Sequence, residues 1–188
     1  MMENKPQDAR VRRGDVPAAS DVHSVAVPPR DATTRRVVRE VSARLDRDGA
    51  LAALAWLNAR TRFRFTGLYQ VDPPILRNLF LVDRENPTLN LSGEVCPLDQ
   101  TYCAIAYARD ASFTTGDARR DVGLVTHPAR RSIISYVGVP LRLAEGGARG
   151  TLCHYDLRPR LLPPTELAHL DAVAPIFALW LTKRGGAS

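Results

Sequence analysis

Residues 135–173 read SYVGVPLRLAEGGARGTLCHYDLRPRLLPPTELAHLDAV. The two stretches on either side of Glu145-Gly146-Gly147 are apolar at nearly every position. A strand exposed on one face would alternate, so this content predicts a hairpin whose sheet is covered on both faces. After Pro163-Pro164 the period changes: Leu167, Leu170, Val173, Phe177 and Leu181 step by three and four, a helical stripe running to about Lys183. Pro175 lies inside that stripe and is expected to kink or split the helix by removing a backbone donor.

Working backward from this hairpin, FTTGD (113–117) is a short strand, and Leu98–Arg109 carries Tyr102, Ile105, Ala106 and Arg109 at helical spacing. Residues 84–97 are polar, contain Pro87, Gly93 and Pro97, and read as an irregular loop. RFRFTGLYQV and ILRNLFLV flank Asp72-Pro73-Pro74 and form a second expected hairpin. Upstream, Val37, Val41 and Leu45 place one apolar stripe on a charged helix that Asp31 can cap, and Asp48 can cap a following helix through Leu51, Leu54 and Leu57. The order is helix, two strands, helix, strand, two strands, helix, which is an α+β domain with terminal helices.

The chain has 188 residues and a net charge of +6. No apolar run approaches the ~18 residues of a membrane span. Twenty-four of the 26 cationic side chains are Arg, a skew that codon bias can produce without any ligand. The first 31 residues contain no Leu, Ile, Phe, Tyr or Trp and balance five cations against five anions. They are expected to be a disordered arm before a single domain over residues 32–184, because they cannot bury enough apolar surface to offset ordering entropy. The excess charge therefore belongs to the domain. With no cationic arm, recognition helix or aromatic ribonucleoprotein stripe, a nucleic-acid partner is not expected. Cys96, Cys103 and Cys153, with no secretory signal, point to free thiols in the reducing cytoplasm.

The ordered set Tyr102-Cys103, FTTGD ending in Asp117, Tyr-x-Gly-x-Pro-Leu at Tyr136–Leu141, Gly-Thr-Leu-Cys at Gly150–Cys153 ending in Asp156, and the closing helix resembles the GAF domain family, over roughly residues 45–182. The resemblance implies a GAF/PAS-like central antiparallel sheet of five or six strands, with terminal helices on one face. A short helix and loops are expected over a small-molecule pocket on the other. It implies a non-enzymatic sensory domain of the small bacterial stand-alone kind. With no output domain expected after residue 188, signalling would pass through protein contact, as a homodimer joined by Val37, Val41, Leu45 and the Leu167–Leu181 helix.

Strand alternation and the family layout together give Tyr69, Tyr102, Cys103, Asp117, Tyr136, Thr151 and Cys153 as ligand-binding candidates. Thr151, Cys153 and Tyr155 share one strand face, with Leu152 and His154 on the other. Arg119-Arg120 and Arg130-Arg131, with Arg62 and Arg64, suggest a cationic mouth for an anionic metabolite. No cofactor follows from the residues. Cys153-His154 resembles a bilin attachment pair but alternates across the strand. Asp99 occupies the helix start where a cyclic nucleotide's phosphate would sit. Asp99 and Cys103 at i, i+4, with Asp117 or His127, make a weak metal set, and His127 reads as a solvated turn residue. The alternative function is a thiol redox switch, or an enzyme similar to free methionine sulfoxide reductases, built on Cys96 and Cys103. The absence of a cysteine in His127–Ser135 removes the nucleophile that chemistry needs.

Overall fold

The computed structural model describes residues 31–142 and 147–185. The expected arm, up to residue 30, and the turn residues Glu145 and Gly146 lie outside the described residues. Helix α1 (Ala32–Arg47) starts where Asp31 Oδ1 accepts the Thr34 N–H at 2.8 Å, the expected cap. Helix α2 (Ala50–Asn58) begins instead at Gly49, whose φ of 84° reverses the chain. Asp48 does not cap α2; it is the C-cap of α1, its N–H donating to the Arg44 carbonyl, and its carboxylate pairs with Arg47. The positive φ explains the choice of glycine there.

Strands β1 (Phe65–Asp72) and β2 (Ile75–Asp83) form the first hairpin, and β3 (Val95–Pro97) is a three-residue edge strand inside the segment expected to be loop. Helix α3 (Tyr102–Arg109) follows a one-turn helix at 98–100, and β4 (Phe113–Thr115) leads to β5 (Ser135–Arg142) and β6 (Ala148–Asp156). Helix α4 (Pro164–Gly185) runs through Pro175 as one element. Pro175 is on an exposed side of that helix, so its ring meets solvent and the lost hydrogen bond does not divide the helix. All pairings are antiparallel, and the six strands lie in the order β3-β2-β1-β6-β5-β4. This is the expected α+β architecture.

Two apolar layers sandwich the sheet. Helices α1, α2 and α4 cover one face, where Val37, Val41, Leu54, Leu68, Leu152 and Phe177 are buried together. Each such side chain contributes about 1.5–3 kcal/mol of burial. Val37 and Val41 are 0% exposed and Leu45 3%. The α1 stripe is therefore spent on α2 and α4 of its own chain, and it is not the dimer contact expected from its period. The same holds for Leu170, Val173 and Phe177 of α4. The second layer, on the opposite face, gathers Val71, Leu76, Tyr102, Cys103, Leu124, Tyr136 and Cys153 beneath α3 and the turns at 122–131.

A buried polar seam joins the domain at one end of the sheet. Asp156, with a side chain 3% exposed, accepts from Arg64 N at 3.0 Å, Arg158 N at 3.1 Å and Arg160 Nε at 2.7 Å. Arg64 also pairs with Asp83, which holds that carboxyl below its usual range. On the helix-covered face, His154 Nδ1 shares a 2.7 Å hydrogen bond with Thr66 Oγ1, which accepts from Asn58 Nδ2 at 2.9 Å. Burial in that apolar layer, with Arg84 and His169 adding positive charge nearby, pushes His154 down to about 3.

Candidate functional site

On the α3 side of the sheet is a cavity of about 220 Å³. Its floor is β6 and its two neighbours. Cys153 of β6 stands opposite Gly67 of β1 on one side and Gly138 of β5 on the other. Both glycines lie two residues from a tyrosine on the same strand face. A Cβ at Gly67 would fall 2.2 Å from Cε2 of Tyr69, and one at Gly138 would fall 2.2 Å from the hydroxyl of Tyr136. The missing side chains let both rings lie across their own strands. The rings thus flank Cys153, and the space above it stays open.

Helix α3 closes the cavity from above with Tyr102 and Cys103 in its first turn. The Tyr102 ring is held among Tyr136 at 5.5 Å, Phe113 at 5.8 Å and His127 at 4.8 Å between centroids. Its hydroxyl donates to the Ile133 carbonyl at 3.3 Å, and burial pushes the phenol up to about 12. The Tyr136 hydroxyl points at Cys103 Sγ from 3.5 Å. Tyr69 and Tyr155 join through their hydroxyls at 3.2 Å. The Cys96, Gln100 and Ser132 side chains are exposed and form the mouth.

Five of the expected binding residues, Tyr69, Tyr102, Cys103, Tyr136 and Cys153, line this one cavity. Thr151 lies just below it: fully buried, its hydroxyl makes no hydrogen bond of good geometry yet still helps to stabilise the Cys103 thiolate. Asp117 is not part of the site. Its carboxylate pairs with Arg119 Nε at 3.0 Å and Arg120 Nε at 3.6 Å, away from the lining. Tyr155 and Cys96 join the five, the first expected on the strand face of Cys153 and the second beside Cys103 in the redox reading, and Gln100, Ser132 and the two glycines are additions. The signal for the glycines was present as Gly67-Leu-Tyr69 and Tyr136-Val-Gly138, a small residue and an aromatic one at the same-face spacing of two.

No side chain lining the cavity carries a fixed charge; the polar lining is tyrosine, cysteine, Gln100, Thr101 and Ser132. None of the arginines expected at a cationic mouth, Arg62, Arg64, Arg119, Arg120, Arg130 and Arg131, is in this lining; Arg119 and Arg120 pair with Asp117, and the Arg130 guanidinium donates to the carbonyls of Ala118 and Arg119. His127 is half-buried against Tyr102 and its Nδ1 accepts the Ala129 N–H at 3.2 Å. It caps the one-turn helix at 128–131 and packs against the Tyr102 ring, outside the cavity lining, so it is a packed turn residue and not a solvated one, and burial lowers its pKa.

The thiols titrate together. Hydrogen bonding from Cys153, then from Thr151 and Tyr136, holds the Cys103 thiol below its ordinary value against the opposing effect of burial. Burial and the neighbouring Cys103 push Cys153 well up. The pair gives up its first proton early and its second late.

No family model and no curated protein sequence matches the chain. Solved structures do match in fold. The GAF domain of an Acinetobacter phosphoenolpyruvate-protein phosphotransferase aligns with a TM-score of 0.68 at 11% identity, covering 84% of this chain and 98% of that one. The phycocyanobilin-bound GAF domain of a cyanobacterial phytochrome aligns with a TM-score of 0.63 at 16% identity, over 81% and 96%. The free methionine-R-sulfoxide reductase of Neisseria meningitidis, solved with its substrate, aligns with a TM-score of 0.62 at 18% identity, over 82% and 92%. The chain is a GAF-fold protein. That fold carries both ligand-holding domains and an enzyme among these neighbours, so function has to be argued from the cavity.

Proposed function

We propose that this domain is a non-enzymatic sensor that binds a small uncharged molecule in the cavity over Cys153. The observation that carries the reading is the lining itself: four tyrosines and three cysteines enclose about 220 Å³ without a fixed charge. A cavity of about 150 Å³ admits benzene, so one substituted ring fits. The volume falls below the ~300–1,000 Å³ of sites for drug-sized ligands, which argues against a tetrapyrrole. The tyrosine hydroxyls, Gln100 and Ser132 supply hydrogen bonds that orient one or two polar atoms. An anionic ligand, expected from the arginines, has no cationic partner in this lining.

Ligand binding would reach the outside through α3, whose Tyr102 and Cys103 face the cavity, and through β5 and β6, which also support α4. Output is proposed through a protein surface, to a second copy or another protein, in the reducing cytoplasm. Among the described residues, Leu51 of α2 and Leu179 of α4 are large apolar side chains exposed on helices.

Calorimetric titration tests the reading with three probes of similar size. p-Cresol is expected to bind, and p-hydroxybenzoate to bind at least tenfold more weakly, because its carboxylate would be buried unpaired. Free methionine sulfoxide, a zwitterion, is expected neither to bind nor to be reduced. Preferential binding of the anion, or turnover of the sulfoxide with a thiol reductant, would overturn the proposal.

A further inference from the structure

The three cysteines come from three different elements, Cys96 and Cys103 on the neighbouring β3 and α3 and Cys153 fifty residues on in β6, yet all of them line one cavity. They are not equivalent. Cys96 is exposed at the mouth, whereas Cys103 in the roof and Cys153 in the floor are 4% and 0% exposed. Cys103 occupies the second position of α3, where unpaired backbone N–H groups and the helix dipole favour an anion. The Tyr136 hydroxyl faces its sulfur at 3.5 Å. The Thr151 hydroxyl is buried below it with no hydrogen bond of good geometry. A buried donor without an acceptor is costly and rare, and a thiolate at Cys103 supplies the acceptor.

We propose that Cys103 and Cys153 are a peroxide-reactive thiol pair that closes to a reversible disulfide from α3 to β6. The substrate class is a small hydroperoxide, hydrogen peroxide or an uncharged organic one, entering past Cys96, Gln100 and Ser132. The Cys103 thiolate attacks the terminal peroxide oxygen. An S–O bond forms, the O–O bond breaks, and the departing alkoxide takes a proton and leaves as alcohol or water. Cys103 is then a sulfenic acid. The Cys153 thiol gives up its proton, its sulfur attacks the Cys103 sulfur, and the hydroxide displaced from that sulfur leaves with the proton as water. Two thiols and one hydroperoxide become one disulfide, one alcohol and one water. A dithiol reductant returns the pair to thiols.

The first turn of α3 and the Tyr136 hydroxyl favour the thiolate at Cys103, whereas Cys153 is fully buried in the middle of a strand with no helix end beside it, which favours the protonated thiol as the resolving partner. The bond would tie α3 to β6 and replace open space above Cys153 with an S–S link. Oxidation would therefore shrink the site. This chemistry does not depend on which ligand the cavity takes.

The test uses the full chain without added ligand. The protein is treated with equimolar hydrogen peroxide at pH 7, quenched with N-ethylmaleimide and mapped by peptide mass spectrometry. The expected product is a Cys103–Cys153 linked peptide, with Cys96 alkylated, that dithiothreitol reverses. A Cys153→Ser variant is expected to form no link and to leave a Cys103 sulfenic acid that dimedone traps; a link through Cys103 that survives in that variant would overturn the proposal. A Cys96–Cys103 link, a disulfide between two chains, a sulfinate at Cys103 without a link, or three unmodified thiols would each overturn the proposal. The p-cresol titration is read separately, so a failed disulfide and a failed ligand reading remain distinguishable.

Discussion

Replacing Gly138 by alanine tests whether the cavity depends on tyrosine rings lying over glycine. The added Cβ would sit 2.2 Å from the Tyr136 hydroxyl, 2.5 Å from Cζ and 2.7 Å from Cε1. Ordinary contact is about 3.5 Å or more, so the ring has to move by roughly 1.3 Å. Tyr136 is 3% exposed and packed against Tyr102 and Phe113, so no empty space receives it except the cavity. Overpacking of this kind costs about 1–3 kcal/mol. Without the clash, a glycine-to-alanine change in a strand is neutral or favourable by a few tenths to ~1 kcal/mol. Urea denaturation of four proteins completes the measurement: wild type, Gly138→Ala, Tyr136→Ala and the double variant. The account predicts a loss of about 1–3 kcal/mol for Gly138→Ala in the wild-type background and none in the Tyr136→Ala background. An equal cost in both backgrounds would refute the reasoning, since the strain would then not involve the ring.

Other consequences follow from the polar seam and the buried histidine. His154 is held near 3 in the folded protein and returns to about 6.5 when unfolded. Between those values the unfolded chain binds the extra proton, so stability is full above pH ~6.5 and falls by up to about 1.4 kcal/mol per unit as pH drops toward 3. Denaturation curves from pH 7 to 4.5 should be less steeply pH-dependent for His154→Gln, and an unchanged slope would contradict the assignment. Asp156→Ala leaves the Arg64 N–H and the Arg160 guanidinium without their buried acceptor and should cost about 3–5 kcal/mol in the same assay; a loss under ~1 kcal/mol would show that water replaces the carboxylate.

The sheet was legible because β5 and β6 are covered on both faces and so are apolar throughout. Strand β3 was not, since its three residues are all exposed and a three-residue edge has no period to read. The stripe Val37, Val41, Leu45 was found correctly but assigned to the wrong neighbour. Periodicity reports that a face is buried, not whether its cover is another copy or the same chain. Strand alternation placed Tyr69 and Cys153 over the cavity, because side-chain direction on a strand follows from position. Asp117 failed because a carboxylate two residues from Arg119 is satisfied locally, which the family layout does not register. The convergence of Cys96 with Cys103 and Cys153 depended on the pairing of Cys96 with Leu76, a register set by tertiary contact. The arginines misled for a related reason: charge is visible in a sequence, while its local partners are not.

The central claim is that small uncharged molecules enter the tyrosine-lined cavity. Labelling the five tyrosine rings with carbon-13 allows each to be followed by NMR during addition of p-cresol. The account predicts that Tyr69, Tyr102, Tyr136 and Tyr155 shift together and saturably while Tyr107, which is outside the lining, stays in place. Four unmoved pocket resonances at saturating p-cresol, or a shift at Tyr107 alone, would contradict it.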